Sequence, residues 1–215
     1  MSNILVINGN PSAQSLGRSL AERYAAGAHA GGAEVTVVHV GELDFDPHLR
    51  DGLRSKQELE PDLLRLRQQL VAADHVAVVS PVWWGSVPAA LKGVLDRTLE
   101  RGWAYRYKDN GYPEGLLAGR TGRVLITTDT PRWILRWIMG DTTVRQLRRS
   151  TLRFCGFKPV RLSCFGPVHG SDALTRAAWL ERAEADGRRD AAIAPTEDKK
   201  MPPVAAPTLA SAVVG

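Results

Sequence analysis

Cysteine is scarce. Cys155 and Cys164, alone in a chain of 215 residues, can neither build a disulfide framework nor hold an iron–sulfur cluster. Cys155 lies in an apolar Phe-Cys-Gly-Phe setting and Cys164 in a strand pattern, so both are expected to be buried thiols. Long apolar runs are lacking too. Every hydrophobic segment breaks within about ten residues, short of a membrane span, and no membrane insertion is expected. Met1-Ser-Asn-Ile-Leu-Val-Ile-Asn8 enters a strand directly, without a basic region or a cleavage site, which predicts a cytoplasmic protein. Neither a Walker loop nor a GxGxxG fingerprint occurs. His39 and His48 stand near Asp44, Asp46 and Asp51 but fit no ligand spacing, so no metal is expected. Acid is missing from one region: between Arg132 and Arg161 eight basic residues face only Asp141, a net of seven against +5 for the whole chain. Such a patch suits a solvated helical face, a membrane surface or an anionic small molecule. Nothing accompanying it resembles a nucleic-acid-binding motif, and no nucleic acid is expected as a partner.

What is present is an alternation of strands and helices. Asn3–Asn8 is apolar on both faces, as a central parallel strand should be. Leu16 to Ala30 carries Leu16, Leu20, Tyr24 and Ala28 along one side of a helix. Further strands are read at Glu34–Val40, His75–Ser80, Arg123–Thr128 and Lys158–Phe165, and further helices at Glu58–Ala73, Pro88–Leu99, Asp141–Phe154 and Ser171–Ala185. Five strands alternating with five helices predict an α/β, flavodoxin-like doubly wound parallel sheet of order 2-1-3-4-5 with helices on both faces. Residues 1–186 form one domain in this reading. Residues 187–215, rich in Ala, Pro, Lys and Asp without periodicity, are expected to be a mobile tail.

Two loops carry the functional signal. Gly9-Asn-Pro-Ser-Ala-Gln-Ser15 opens a helix, where free backbone N–H groups and the positive end of the dipole suit a phosphate, with Ser12 and Ser15 adding hydroxyls. Such loops also serve as plain turns and helix caps. Pro81-Val-Trp-Trp-Gly-Ser86 sets two indoles at the carboxyl end of a strand, either as core aromatics or as the wall of a flat ligand. Rings at a tight surface turn are hard to bury, which favours the wall. With order 2-1-3-4-5 the two loops face one crevice, and a phosphate site beside an aromatic wall fits a flavin nucleotide. Gly102-Trp-Ala-Tyr-Arg-Tyr107 reads equally as an edge segment packing its rings or as a substrate-facing one. Thr127 and Thr128 end a strand beside Asp129 and can donate to a polar ring edge, or serve only as β-branched strand residues.

The stretch Pro81-Val-Trp-Trp-Gly-Ser-Val-Pro-Ala-Ala-Leu-Lys-Gly-Val-Leu-Asp-Arg97, followed by Gly102–Tyr107, Thr127-Thr128 and Arg153-Phe-Cys-Gly-Phe157, resembles the flavodoxin-like NAD(P)H:quinone oxidoreductases, the group of the DT-diaphorase-type enzymes and small bacterial NAD(P)H dehydrogenases. The resemblance runs from about residue 3 to 185. It implies a flavin-dependent oxidoreductase that passes hydride from NAD(P)H to quinones or similar flat acceptors in ping-pong fashion, as a homodimer with the active site at the interface. The flavin would be FMN, with FAD possible. Its phosphate is expected on the loop from Asn10, through Ser12, Gln14, Ser15 and Leu16. Its ring is expected along Pro81, Val82, Trp83, Trp84 and Gly85, with Thr127, Thr128 and Asp129 at the pyrimidine edge. Tyr105 and Tyr107 correspond to tyrosines that enter the partner's site. The family's Gly-Gly after the threonine pair is Asp129-Thr130 here, and its tyrosine and histidine beside the flavin fall near Trp133 and Met139, which leaves Trp133 at that catalytic position. The alternative reading is a flavin-bound electron carrier or a regulatory subunit of a transporter.

Overall fold

A computed structural model describes residues 1–50, 52, 56–193 and 198–202. In chain order its principal elements are β1 (Asn3–Asn8), α1 (Leu16–Ala30), β2 (Glu34–His39), α2 (Pro61–Ala72), β3 (His75–Pro81), α3 (Ala89–Thr98), β4 (Tyr105–Tyr107), β5 (Pro113–Gly115) and β6 (Thr121–Thr127). These are followed by α4 (Arg132–Trp137), α5 (Thr142–Arg145, continuing as a wider π-type helix over Gln146–Arg153), β7 (Val160–Phe165) and α6 (Ala173–Ala191). Five strands form one parallel sheet in the order β2-β1-β3-β6-β7, the predicted order once the antiparallel β4–β5 hairpin is set aside.

Side chains of β1 alternate between two cores, as pleating requires. Ile4 and Val6 join Leu20, Tyr24, Ala77, Val79 and Phe165 beneath α1 and α6. Leu5 and Ile7 join Leu63, Leu66, Leu70, Leu91 and Leu147 beneath α2, α3 and α5. All seven residues of β3 and all seven of β6 are buried, which accounts for their β-branched runs. α1 and α6 cross with backbones in contact, because a β-carbon at Gly27 would collide with the Glu184 carbonyl and one at Gly187 with the Tyr24 carbonyl.

Several expectations need correction. Gly102–Tyr107 is not an edge of the main sheet; its last three residues pair with Pro113–Gly115 in the separate hairpin. Trp103 is in the core, under the Arg67 guanidinium at 4.6 Å, whereas Tyr107 is exposed. Cys155 is buried, which pushes its thiol up to about 12, but Cys164 is only partly covered. The last helix runs to Ala191 rather than stopping at 185, and Lys200 N donates to Ala118 O (2.9 Å) while Lys199 Nζ pairs with Asp74 Oδ1 (2.6 Å). Residues 187–191 of the segment read as a tail belong to α6, and Lys199 and Lys200 make the two contacts named above. Residues 194–197 and 203–215 of it lie outside the described residues.

The reason α6 continues is a buried polar cluster that no periodicity signals. Asp190, 1% exposed, accepts from Tyr24 Oη (2.7 Å) and Arg123 Nη2 (3.0 Å), with His75 Nε2 at 3.3 Å. Ser163 Oγ donates to Asp186 Oδ2 (2.6 Å) and accepts from Arg123 Nη1 (2.9 Å). Burial opposes the Asp190 charge, but the contacts with His75 and Arg123 outweigh it and hold the carboxyl well below the ordinary carboxylate range. A depressed folded-state value stabilises the fold above the unfolded value of about 4, and that contribution fades as pH falls below it. Asp190→Asn should lower the unfolding free energy at neutral pH by about 3 kcal/mol. Urea denaturation should find the gap to the unaltered protein narrowing below about pH 4, and a pH-independent gap would assign the loss to packing alone.

Candidate functional site

β1 and β3 are hydrogen-bonded neighbours, yet the helices that follow them lie on opposite faces of the sheet, α1 in one core and α3 in the other. Their outgoing loops therefore diverge and leave a crevice at the carboxyl ends of the strands. Gly9 N donates to Val79 O (2.8 Å), tying the start of the first loop to β3.

The first loop is built from asparagine turns. Asn8, 1% exposed, accepts Asn10 N on Oδ1 (3.2 Å) and meets His39 Nδ1 through its amide nitrogen (3.1 Å). Asn10 Oδ1 accepts Ser12 N (3.0 Å). Ser15 caps α1, its Oγ accepting Arg18 N (3.1 Å) and donating to Ser12 O (3.2 Å), and Ser12 Oγ donates to Gln14 O (3.1 Å). The serine hydroxyls expected as anion donors thus spend their protons within the loop. The backbone does not: among the described residues, the N–H groups of Ala13, Gln14, Ser15, Leu16 and Gly17 donate no hydrogen bond. Five consecutive free donors at the positive end of a fifteen-residue helix suit a phosphate. The loop is held from behind, where Gly41 packs so closely that a β-carbon would strike the Pro11 carbonyl.

The second loop is a two-residue turn closed by Trp83 N to Ser86 O and Ser86 N to Trp83 O, both 2.9 Å. Its central residues, Trp84 and Gly85, have φ of 51° and 71°, the left-handed pair such a turn demands. Glycine adopts that conformation freely, whereas a tryptophan there costs about 1 kcal/mol or more. The consequence is that Trp84 stands fully in solvent, 104% exposed, and Trp83 is 46% exposed. Thr142 Oγ1 donates to Gly85 O and Ser86 Oγ to Gln146 Oε1 (3.0 Å), so α5 braces the turn. No sequence signal pointed to Thr142 or Gln146, because neither belongs to the loop.

Pro81 is buried as the last residue of β3, and Val82 is partly buried with its N–H committed to Thr127 O (2.9 Å). Thr127 and Thr128 are 7% and 6% exposed at the end of β6. Thr128 Oγ1 accepts Thr130 N (3.0 Å), leaving its proton free, and Asp129 Oδ1 accepts His169 N (2.6 Å) from the loop after β7. Trp133 lies exposed on α4 beyond that strand end. Tyr105 and Tyr107 are not brought to the Trp turn. They line a separate groove of about 830 Å³ with Leu95, Leu99 and Phe154, Tyr105 packing edge-on to Phe154 at 4.8 Å. Burial raises the Tyr105 phenol above its ordinary value, so it remains a proton donor at neutral pH.

This arrangement fits a flavin nucleotide on its own observations: an unsatisfied run of amides for an anion after β1 and, after the neighbouring β3, an indole left in solvent. An indole kept in water and in a strained backbone is not stabilising the fold. Trp84→Asn should leave the unfolding free energy within about 0.5 kcal/mol of its original value or raise it. Trp103→Ala in the core should cost about 3–5 kcal/mol, and denaturant midpoints of the two variants decide the contrast.

Comparison with known proteins agrees with this fold. A family model described as flavodoxin-like fold matches residues 2–186. An uncharacterized NAD(P)H oxidoreductase of Haemophilus influenzae is 30% identical over 191 residues, covering 84% of this chain and 92% of its own. Human ribosyldihydronicotinamide dehydrogenase (quinone) is 31% identical over 137 residues, 60% of this chain and 59% of that enzyme. In fold, an FMN-dependent NADH-azoreductase of Bacillus anthracis, solved with FMN, superposes with a TM-score of 0.73 at 17% identity, covering 89% of this chain and all of that one (100%). Since the matched model spans the whole sheet and both loops at its carboxyl edge, this chain belongs to the flavodoxin-like fold family.

Proposed function

We propose that this protein is a flavin-dependent NAD(P)H oxidoreductase of the quinone-reductase type, holding FMN in the crevice between the 9–15 and 82–86 loops. The observation that carries the proposal is the fully exposed Trp84 indole beside five unengaged backbone amides at the ends of adjacent strands. The relatives support it: the human enzyme is named a quinone dehydrogenase, and a Pseudomonas fluorescens relative, 30% identical over 165 residues, is named an FMN-dependent NADH:quinone oxidoreductase.

When bound, FMN supplies the two-electron chemistry between NAD(P)H and an acceptor. The chain contributes placement. Residues 13–17 hold the phosphate through their amides, so Ser12, Gln14 and Ser15 act by shaping the loop that presents them. Trp83 and Trp84 offer faces for offset stacking, worth about 0.5–1.5 kcal/mol per ring pair beyond burial. Thr128, with its free hydroxyl proton, and Thr127 can donate to a polar ring edge from a site almost closed to water, where such bonds are strong. Donor and acceptor are both flat and compete for one open face, which leads to alternating occupation. Asp129 is engaged as an acceptor by His169 N, and Trp133 carries no titratable group. The donor we assign is Tyr105 of the partner subunit. The groove it shares with Leu95, Leu99 and Phe154 is the face on which two copies would pair, carrying Tyr105 and Tyr107 across to the opposite crevice.

The purified protein should be yellow, release FMN on denaturation and oxidise NAD(P)H with menadione; a colourless protein that takes up neither FMN nor FAD ends the proposal. Trp84→Ala should weaken FMN binding by about tenfold in a fluorescence titration. Tyr105→Phe should keep the flavin content and lower kcat by roughly tenfold or more. Unchanged turnover in that variant would remove Tyr105 from the reaction.

A further inference from the structure

The first loop hangs from one buried amide, and the far side of that amide rests on a histidine. Asn8 at the end of β1 lies in register with His39 at the end of β2, where the ring is partly buried. Both face α1, since Ile4 and Val6 before Asn8, and Val35 and Val37 before His39, pack in the core beneath that helix. A β-carbon at Gly17 would come within 3.3 Å of Asn8 Oδ1, so the first turn of α1 sits directly on the amide.

The hydrogen bonds of this amide leave no choice of polarity. Asn10 N can only donate, so the Asn8 atom 3.2 Å from it must be the oxygen. The amide nitrogen therefore faces His39 Nδ1 at 3.1 Å, and it too can only donate. Nδ1 must then offer a lone pair, which makes His39 a neutral imidazole with its proton on Nε2. A proton added at Nδ1 sets donor against donor. Turning the Asn8 amide over removes that conflict only by moving it to Asn10 N, the bond on which the turns through Ser12 and Ser15 depend.

Few charges bear on the ring. Between Ser2 and Ser15 the chain holds no acid or base. On α1, Arg18 reaches Glu22 (2.9 Å) and Glu42 (2.6 Å), while Arg23 turns away to Glu184 of α6. His29 and Glu34 lie at the opposite ends of α1 and β2. Glu42, three residues beyond His39, favours a protonated ring, but Arg18 already matches its charge.

We propose that His39 is a positioning residue for the anion loop: its neutral imidazole fixes the Asn8 amide, and a proton on that ring loosens the loop and releases a bound phosphate. That the phosphate is FMN's rests on the function proposed above, whereas the polarity of the amide does not.

An ordinary imidazole titrates near pH 6.5, at about the point where this control would act. Between about pH 7.5 and about pH 5.5 the FMN dissociation constant of the native protein should rise about tenfold more than that of a His39→Asn variant. Asparagine places an acceptor oxygen where Nδ1 stands but takes up no proton, and the titration of the FMN phosphate is common to both proteins. At the higher pH, His39→Asn should bind FMN within about twofold of native, whereas His39→Leu, which leaves the Asn8 nitrogen unpartnered, should bind about tenfold more weakly. Nitrogen NMR of the flavin-free protein separates the positioning role from the flavin it serves. His39, identified by the signals missing from His39→Asn, should show Nδ1 bare and Nε2 protonated at neutral pH. A proton on Nδ1, or equal pH dependence in native and His39→Asn protein, overturns the proposal. Failure of FMN to bind at any pH ends the flavin reading instead, and the state of Nδ1 then decides the role of His39 alone.

Discussion

The pairing of β1 with β3 governs this molecule. Parallel strands release their chains at the same edge, and here the two chains turn to opposite faces, one into α1 and the other into α3. No side chain from either core can follow both loops, so a gap remains between them. At that edge stand two groups that no other part of the chain engages: the first amides of α1 and the indole of Trp84. Each carries a cost in water or in backbone strain that the fold itself does not recover. A ligand with an anionic end and a flat aromatic end relieves both.

Around this gap the protein is braced from a distance. Asn8 and Gly41 fix the first loop from beneath and behind, while Thr142 and Gln146 hold the second from α5. At the opposite edge of the sheet, Asp190 and Asp186 draw α6 onto Arg123, Ser163 and Tyr24. The two ends divide the labour: a closed ionic cluster secures the layers at the amino ends of the strands, leaving the carboxyl ends to carry unsatisfied groups. α4 belongs to the second end, and its exposed rings continue the apolar rim that Trp84 begins.

Much of this was legible in the residues. Strands and inner helical stripes follow from local periodicity, and Leu20, Tyr24, Leu63, Leu66, Leu70 and Leu91 are buried where their spacing placed them. The two loops were legible because glycine, asparagine, proline and paired tryptophan are unusual at strand ends. Trp103 and Trp84 show where that reading stops. Both are indoles near glycine, one 8% and the other 104% exposed, and only the hairpin around the first and the left-handed turn at the second separate them. Tyr105 and Tyr107 could not be placed either, since the groove they line is built from α3 and the continuation of α5. The last helix was cut short because Asp186 and Asp190 look like surface acids until their partners arrive from α1, β3, β6 and β7.

Read alone, the amino-acid order settles the alternation of strand and helix and the faces those helices bury, and it marks two loops of unusual composition, because these depend on neighbours within a few residues. Only the tertiary structure decides that the two loops leave neighbouring strands, that Trp84 is bare while Trp103 is covered, and that a carboxylate near the end of the last helix is a core residue. Those outcomes rest on groups more than a hundred residues apart in some cases, Tyr24 and Asp190 among them, and no local pattern encodes the solvent that such contacts exclude.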